Sequence, residues 1–352
     1  MSAVIVPALP VSAPHPKRSG GVWAAAARRF SRDHVGMGSL VVVVLFLLVV
    51  LAASLGLVAR DWQAERGVPD APPSFVGPAA ETEAAAVAGT SGPNVDISDV
   101  DPLAPRYKEW AEAAKKYQTT ETAKASTLPF GADRLGRDVL AKAVKGAQVS
   151  IFVGVSSALL ATLIGTLLGA VAGFFGGKLG DVLEWVYNVF TAVPGILLIF
   201  AFAAVFGRGI GSVVLSLGLA GWPGIYRLVR AEFIKHAVRD YVRSAEAIGA
   251  STASRMFKHI LPNVSHVVLV QLSIYVVAFI KSEVILSYLG LGVGVDQVSW
   301  GTMLAEAQSE LILGHWWQLA AATLFMAVFV TAFSLMTDAL RDALDPKLRG
   351  LE

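Results

Sequence analysis

The number and length of uninterrupted apolar stretches limit this chain more than any other feature. A helix that crosses a bilayer needs about 20 mostly apolar residues. Six stretches qualify: 37–59, 151–175, 183–206, 210–226, 264–289 and 317–336. Only 16% of the 352 residues are charged and 55% are hydrophobic, whereas a soluble domain carries about 25% charged residues. The expected fold class is therefore all-α, a polytopic helical membrane bundle with six transmembrane helices. The fourth stretch is the weakest, because it is short and carries Gly218, Gly221, Pro223 and Gly224. Such breakers survive where neighbouring helices satisfy the freed backbone groups.

Lysine and arginine in the short loops give the orientation. Lys17, Arg18, Arg28, Arg29 and Arg32 precede the first stretch, and Arg341, Lys347 and Arg349 follow the sixth. Arg227, Arg230, Lys235, Arg239, Arg243, Arg255 and Lys258 lie between the fourth and fifth, while 290–315 has none. Both termini and the 227–263 loop are expected on the cytoplasmic side. The resulting organisation is a cytoplasmic tail (1–36), a first span (37–59), an extracytoplasmic segment (60–148), a five-helix core (149–338) and a cytoplasmic tail (339–352). The start of the chain is Pro-broken and lacks a charged region ahead of its short apolar run, so it reads as a disordered tail and not as a cleavable signal.

Several function classes are excluded at this stage. A net charge of +2 gives no case for nucleic acid. The chain has no cysteine, hence no disulfide, thiolate metal site or cysteine nucleophile. It has no HExxH, GxSxG or phosphate-binding loop, so no catalytic residue, metal site or cofactor is expected within it.

Gly165, Gly169 and Gly173 repeat every four residues, a spacing that lets helix backbones approach closely. The contact is expected within the bundle, with a seam against a second, similar subunit as the alternative. Residues 67–105 are rich in Pro, Ala, Gly and acids and read as irregular. Leu103, Tyr107, Trp110, Ala114 and Tyr117 then form one helical stripe. It is expected to cap the outer mouth, or else to contact an external solute receptor.

The charged segment YVRSAEAIGASTASRMFKHILPN (241–263) lies between two nearly pure hydrocarbon stretches. Asp240 or Ser244 can cap one short helix and Ser251 or Thr252 another. Gly249 permits a sharp break between them, and Pro262 lets the next span begin anew. Ala245, Ala247, Ile248, Met256 and Phe257 offer apolar contacts, and Arg243, Glu246, Arg255 and Lys258 a polar rim. The segment reads as a handle gripped by a second protein, against the alternative of a basic loop lying on headgroups. Lys281 and Glu283 fall at or near membrane depth, where ionisable side chains are costly and rarely face lipid. Two residues apart on a helix is about 200°, so they do not face each other. Either both are solvated or paired near the outer end, or Glu283, with Ser287 one turn on, lines a route or a subunit seam.

The placement of Gly249 twelve and thirteen residues before Leu261 and Pro262 resembles the EAA loop of bacterial ABC importer permeases. GADRLGRDVLAKAVKGAQVSIFVGV (131–155), SEVILSYLGLG (282–292), SWGTML (299–304) and DALRDALDP (338–346) are similar to further motifs of that family, in the same order. Together they resemble the C-type permease of the oligopeptide/dipeptide/nickel group over roughly 130–348 and the first span. Three departures stand out: Arg243 replaces the expected glutamate of the loop, with Glu246 one helical turn on; Gln148 replaces an arginine; and GVDQV (294–298) lacks the usual prolines.

The resemblance implies a type I ABC importer permease fold in the inner membrane and the transmembrane subunit of an ATP-driven importer, with di- or oligopeptides favoured and nickel or another small solute as the alternative. It implies a B-type permease partner, two ATP-binding cassette ATPases that bind ATP and magnesium, an extracytoplasmic solute-binding protein, membrane lipid and no nucleic acid. Arg243, Ser244, Ala245, Glu246, Gly249, Met256, Phe257, Ile260, Leu261 and Pro262 would form the loop that couples to an ATPase. Two other classes compete. An ion-coupled secondary transporter needs ion sites near the midplane and commonly internal repeats, and the chain shows one glutamate and no convincing repeat. An intramembrane enzyme needs a nucleophile with a base, and no His or Asp accompanies the serines and threonines of the spans.

Overall fold

The computed structural model describes residues 22–77, 102–115 and 124–344, and the following statements concern those residues. They form helices α1 (Val22–Phe30), α2 (His34–Ser54), α3 (Tyr107–Lys115), α4 (Val139–Phe175), α5 (Gly177–Ala192), α6 (Gly195–Phe206), α7 (Ile210–Ala237), α8 (Asp240–Ala247), α9 (Leu261–Tyr288), α10 (Trp300–Ile312) and α11 (Trp317–Leu344). A turn at Thr252–Ser254 and a π-helical turn at Arg255–Ile260 lead directly into α9. Among the described residues there is no β-strand beyond isolated bridges. Five helices are long and apolar enough to cross a membrane, counting Thr252–Tyr288 as one, or six if the bent pair α5–α6 is one span.

Two expectations from the sequence need correction. The third stretch is not one rod: α5 and α6 meet at 90°. Pro194 explains the bend, since the residue before a proline is pushed from helical to extended backbone. Val193 has φ −95° and ψ 133°. The fourth stretch, read as the weakest, is an unbroken 28-residue helix that carries Pro223 within it and runs on to Ala237. The first eleven residues of the expected 227–263 loop are therefore helix. Its glycines admit neighbours: Gly218 receives Leu160, Gly221 receives Phe279 and Gly224 receives Tyr275. Val22–Phe30 is a helix packed on the end of α11; the disordered tail expected at 1–20 falls outside the described residues, as do 78–101, 116–123 and 345–352.

The glycine spacing in α4 does what close-packing glycines do. α4 pairs with α7 more extensively than any other two helices. A Cβ on Gly165, Gly169 or Gly173 would lie 2.6 Å from the carbonyl oxygens of Trp222, Tyr226 and Arg230 in turn. The contact is within this chain.

At the opposite end from α8, residues 60–77 and 124–138 pair through isolated bridges, Gly67 with Ala125 and Pro73 with Leu128 among them. Asp138 caps α4 by accepting from Leu140 N at 2.9 Å. The stripe expected to cap the mouth is exposed: Leu103, Tyr107 and Trp110 all face out, and the Tyr107 and Trp110 rings lie 5.9 Å apart. Tyr117 is outside the described residues.

Candidate functional site

The handle is built by continuing two long helices past the bundle and joining them with two tight breaks. α7 ends at Ala237, and α8 follows after a two-residue turn. Gly249 then takes φ +86°, the left-handed region that costs a glycine nothing. Ser251 caps the next turn by accepting from Ser254 N at 3.3 Å. Of the four candidate caps, Ser251 is used. Asp240 sits in the first turn of α8, whose N-cap is Arg239 without a side-chain bond. Pro262 does not restart the chain. It lies in the first turn of α9, where its missing N–H costs little, so the π-turn and α9 run on as one 37-residue helix from Thr252 to Tyr288.

One face of the handle is buried. Val242, Met256, Ile260 and Val264 pack with Ala170 of α4 and with Ile225, Val229 and Phe233 of α7, and Leu261 joins them partly buried. Ala245 is buried as well. The sequence placed Ala245, Met256 and Ile260 among the coupling contacts. They face inward because their spacing puts them on the same side as Val242 and Val264, and they fasten the handle to the bundle. The outer face consists of Arg243, Ser244, Glu246, Gly249, Phe257 and Pro262, all exposed, with Ile248 at its tip. Ile248 is 86% exposed and Phe257 44%. Arg255 closes the fold of the handle: its Nη1 is 2.6 Å from Glu246 Oε1, and its guanidinium lies 5.4 Å from the centre of the Phe174 ring. Tyr241 and His236 are joined at 2.8 Å across the first break.

Glu283 and Ser287 do not line a route in this structure. Glu283 is 0% exposed and Ser287 is buried. The Ser150 hydroxyl donates to Glu283 Oε2 and the Ser287 hydroxyl to Oε1, both at 2.6 Å. Ser150 in turn accepts from Trp300 N at 3.2 Å. The carboxyl thus ties α4, α9 and α10 together inside one chain. Lys281 is exposed and is not its partner.

Sequence reasoning missed a second buried cluster at the end of the bundle opposite the handle. Asp133 and Lys142 are fully buried. Asp133 Oδ2 is 2.7 Å from both Lys142 Nζ and Arg137 Nε. Lys142 also contacts Glu306 and donates to Gln318 Oε1 at 3.1 Å. These contacts join the 124–138 segment, α4, α10 and α11. Burial by itself would raise the Asp133 carboxyl, but Lys142 and Arg137 outweigh it and hold it below its ordinary value. Nearby, Glu310 is pushed up by burial. The signal was the presence of Asp133, Lys142 and Glu306 beside apolar runs, but partners 164 residues apart cannot be paired without a fold.

A model of the family described as "Binding-protein-dependent transport system inner membrane component" matches residues 165–350. The chain belongs to that family. The match takes in the α4–α7 packing, the whole handle and α9 to α11. The chain is 37% identical over 220 residues to the dipeptide transport system permease protein DppC of Bacillus subtilis (strain 168), covering 62% of this chain and 69% of that protein. It is 36% identical over 238 residues to the oligopeptide transport system permease protein OppC of the same organism, covering 66% and 78%. The solved structure of the MetNI methionine ABC transporter in inward facing conformations is similar over 58% of this chain and 96% of that one, with a TM-score of 0.48 and 16% identity. The protein is an ABC importer permease, a multi-pass component of the inner membrane that works within a binding-protein-dependent transport system.

Proposed function

We propose that this permease moves di- or oligopeptides by alternating access, driven by two partner ATPases that bind ATP and magnesium, with no catalytic or metal site of its own. A B-type permease would form the other half of the route, and an extracytoplasmic solute-binding protein would deliver the peptide. Both termini and the handle lie on the cytoplasmic side, the bent α5–α6 pair counts as the third of six spans, and lipid surrounds the bundle. The peptide assignment rests on the relatives' transport systems.

The observation that carries the ATPase contact is the two-sided handle. One face is locked to α4 and α7 by Val242, Ala245, Met256 and Ile260, while the other offers Ile248 and Phe257 within a rim of Arg243, Ser244, Glu246 and Lys258. Apolar anchors inside a polar rim are the composition of a protein interface. Because the handle continues into α9, a rigid-body push on it tilts the whole helix.

The test is co-purification of the tagged permease from its own membrane. Recovery with a second permease and ATPases, and loss of the ATPases alone in Ile248→Asp or Phe257→Asp, supports the reading. Retention of the ATPases in both variants sinks the assigned face. Uptake by vesicles without ATP, driven by a proton gradient, would favour the secondary-transporter class instead.

A further inference from the structure

A cavity of about 320 Å³ opens between three helices at the handle end of the bundle. Leu228 of α7, Val267, Val270 and Ile274 of α9, and Leu344 of α11 form its apolar walls. Its polar groups are His266, Gln271 and Arg341, and its lining contains no carboxylate. Neither Arg341 nor His266 has a hydrogen-bond or ion-pair partner among the described residues. Asp338 and Asp342 flank Arg341 along its helix and, like it, are exposed, but neither lines the cavity.

Two features specify the occupant. The Arg341 cation calls for an anion, its fork matches phosphate oxygens in pairs, and the His266 ring can donate a further hydrogen bond. The walls call for hydrocarbon: Leu228 and Ile274 are 38% and 41% exposed at the mouth, on helices apolar enough to cross a membrane. A small free anion would satisfy Arg341 and leave this apolar wall uncovered. A lipid meets both demands, and basic pockets between spanning helices on the cytoplasmic side suit anionic headgroups.

We propose that this cavity is a binding site for an anionic phospholipid, its phosphate held by Arg341 and His266 and an acyl chain laid along Leu228 and Ile274. The ligand would bridge α7, α9 and α11 beside the root of the handle. The inference goes beyond the transport reading and does not depend on which solute is moved.

The test uses the full chain with whatever partners it retains in detergent. Its thermal midpoint is followed against added dioleoyl phosphatidylglycerol, dioleoyl phosphatidylcholine and inorganic phosphate. The expected result is a rise with phosphatidylglycerol at concentrations where the other two have no effect. Arg341→Gln and His266→Gln should each need about fivefold more phosphatidylglycerol for the same rise, with their lipid-free midpoints unchanged. If Arg341→Gln does not fold, His266→Gln alone decides. An equal response to phosphatidylcholine, or a wild-type response in the variants, would overturn the site. A rise with inorganic phosphate alone would overturn the lipid in favour of a small-anion site.

Discussion

Arg255 and Glu246 stand on opposite sides of the Gly249 turn and meet at 2.6 Å, so the π-helical turn is pinned to α8. Glu246 lies one helical turn beyond Arg243, where the EAA-loop resemblance leads one to expect a glutamate. In this structure its charge is spent inside the handle.

The pair is half exposed, so it contributes only about 0.2–1 kcal/mol to stability. Its effect should appear in transport. Glu246→Arg is expected to leave membrane abundance unchanged while lowering uptake, because it sets two cations against each other across the turn. The exchange Glu246→Arg with Arg255→Glu should restore part of the uptake. Quantitative blotting together with labelled-dipeptide uptake checks this; equal uptake in the single variant and the wild type would show that the pair is dispensable.

Gly249 is needed for its backbone alone. Nothing lies within 4 Å of a Cβ placed there, so Gly249→Ala meets no clash. The cost is the positive φ of 86°, about 1–2 kcal/mol for a residue with a side chain. A strain of that size in an exposed loop is relieved by moving the loop. The protein should therefore accumulate normally and recover less ATPase on purification. A normal ATPase yield would mean that the turn tolerates a side chain without shifting the docking face.

The sequence made some of these features legible and hid others, for physical reasons. The α4–α7 seam was visible because a four-residue glycine spacing has one main structural meaning, close helix approach. The Gly249 break was visible because few residues adopt its φ. The sidedness of the handle was not, since Ala245, Met256 and Ile260 look the same whether they face a partner or the protein's own bundle; the choice depends on where Ile225, Val229 and Phe233 of α7 arrive. The strength of α7 was hidden for a similar reason. Its glycines read as breakers until Leu160, Phe279 and Tyr275 are seen to fill the spaces beside them. Glu283 drew attention as an ionisable group at membrane depth, but its partner Ser150 is 133 residues away.

Glu283 should behave as a structural tie. Glu283→Ala removes the acceptor of two serine hydroxyls in a fully buried place, and an orphaned buried donor costs about 1–3 kcal/mol. The amount of folded protein in the membrane should fall, and uptake should fall in proportion. Glu283→Gln, which keeps one acceptor oxygen, should be milder in both. Normal abundance with abolished uptake in either variant would instead return Glu283 to a direct part in transport.

The Asp133 cluster sets two opposing pH dependences. Asp133 is held below its ordinary value of 3.8, so its stabilising contribution is present above that pH and is lost as pH falls through the lower folded value. Glu310 is raised above its ordinary value of 4.5, so its contribution is full below that pH and is lost as pH rises through the higher folded value. At neutral pH the Asp133–Lys142 pair is therefore at full strength, while Glu310 is a liability close to Asp133 and Asp70. Removing Lys142 strands the buried Asp133 carboxylate with Arg137 alone, and breaking such a pair costs about 3–5 kcal/mol; Lys142→Met should fail to accumulate. Adding Asp133→Asn should restore part of that loss, since it removes the stranded charge. Glu310→Gln should raise the thermal midpoint at pH 7 by about 2 °C and leave it unchanged at pH 4, where the native side chain is already protonated. Membrane abundance of the two Lys142 variants, and midpoints of the purified chain and Glu310→Gln at the two pH values, decide the matter. A gain for Glu310→Gln that is the same at both would show that its charge is not what costs stability, and would place the effect in packing around α10.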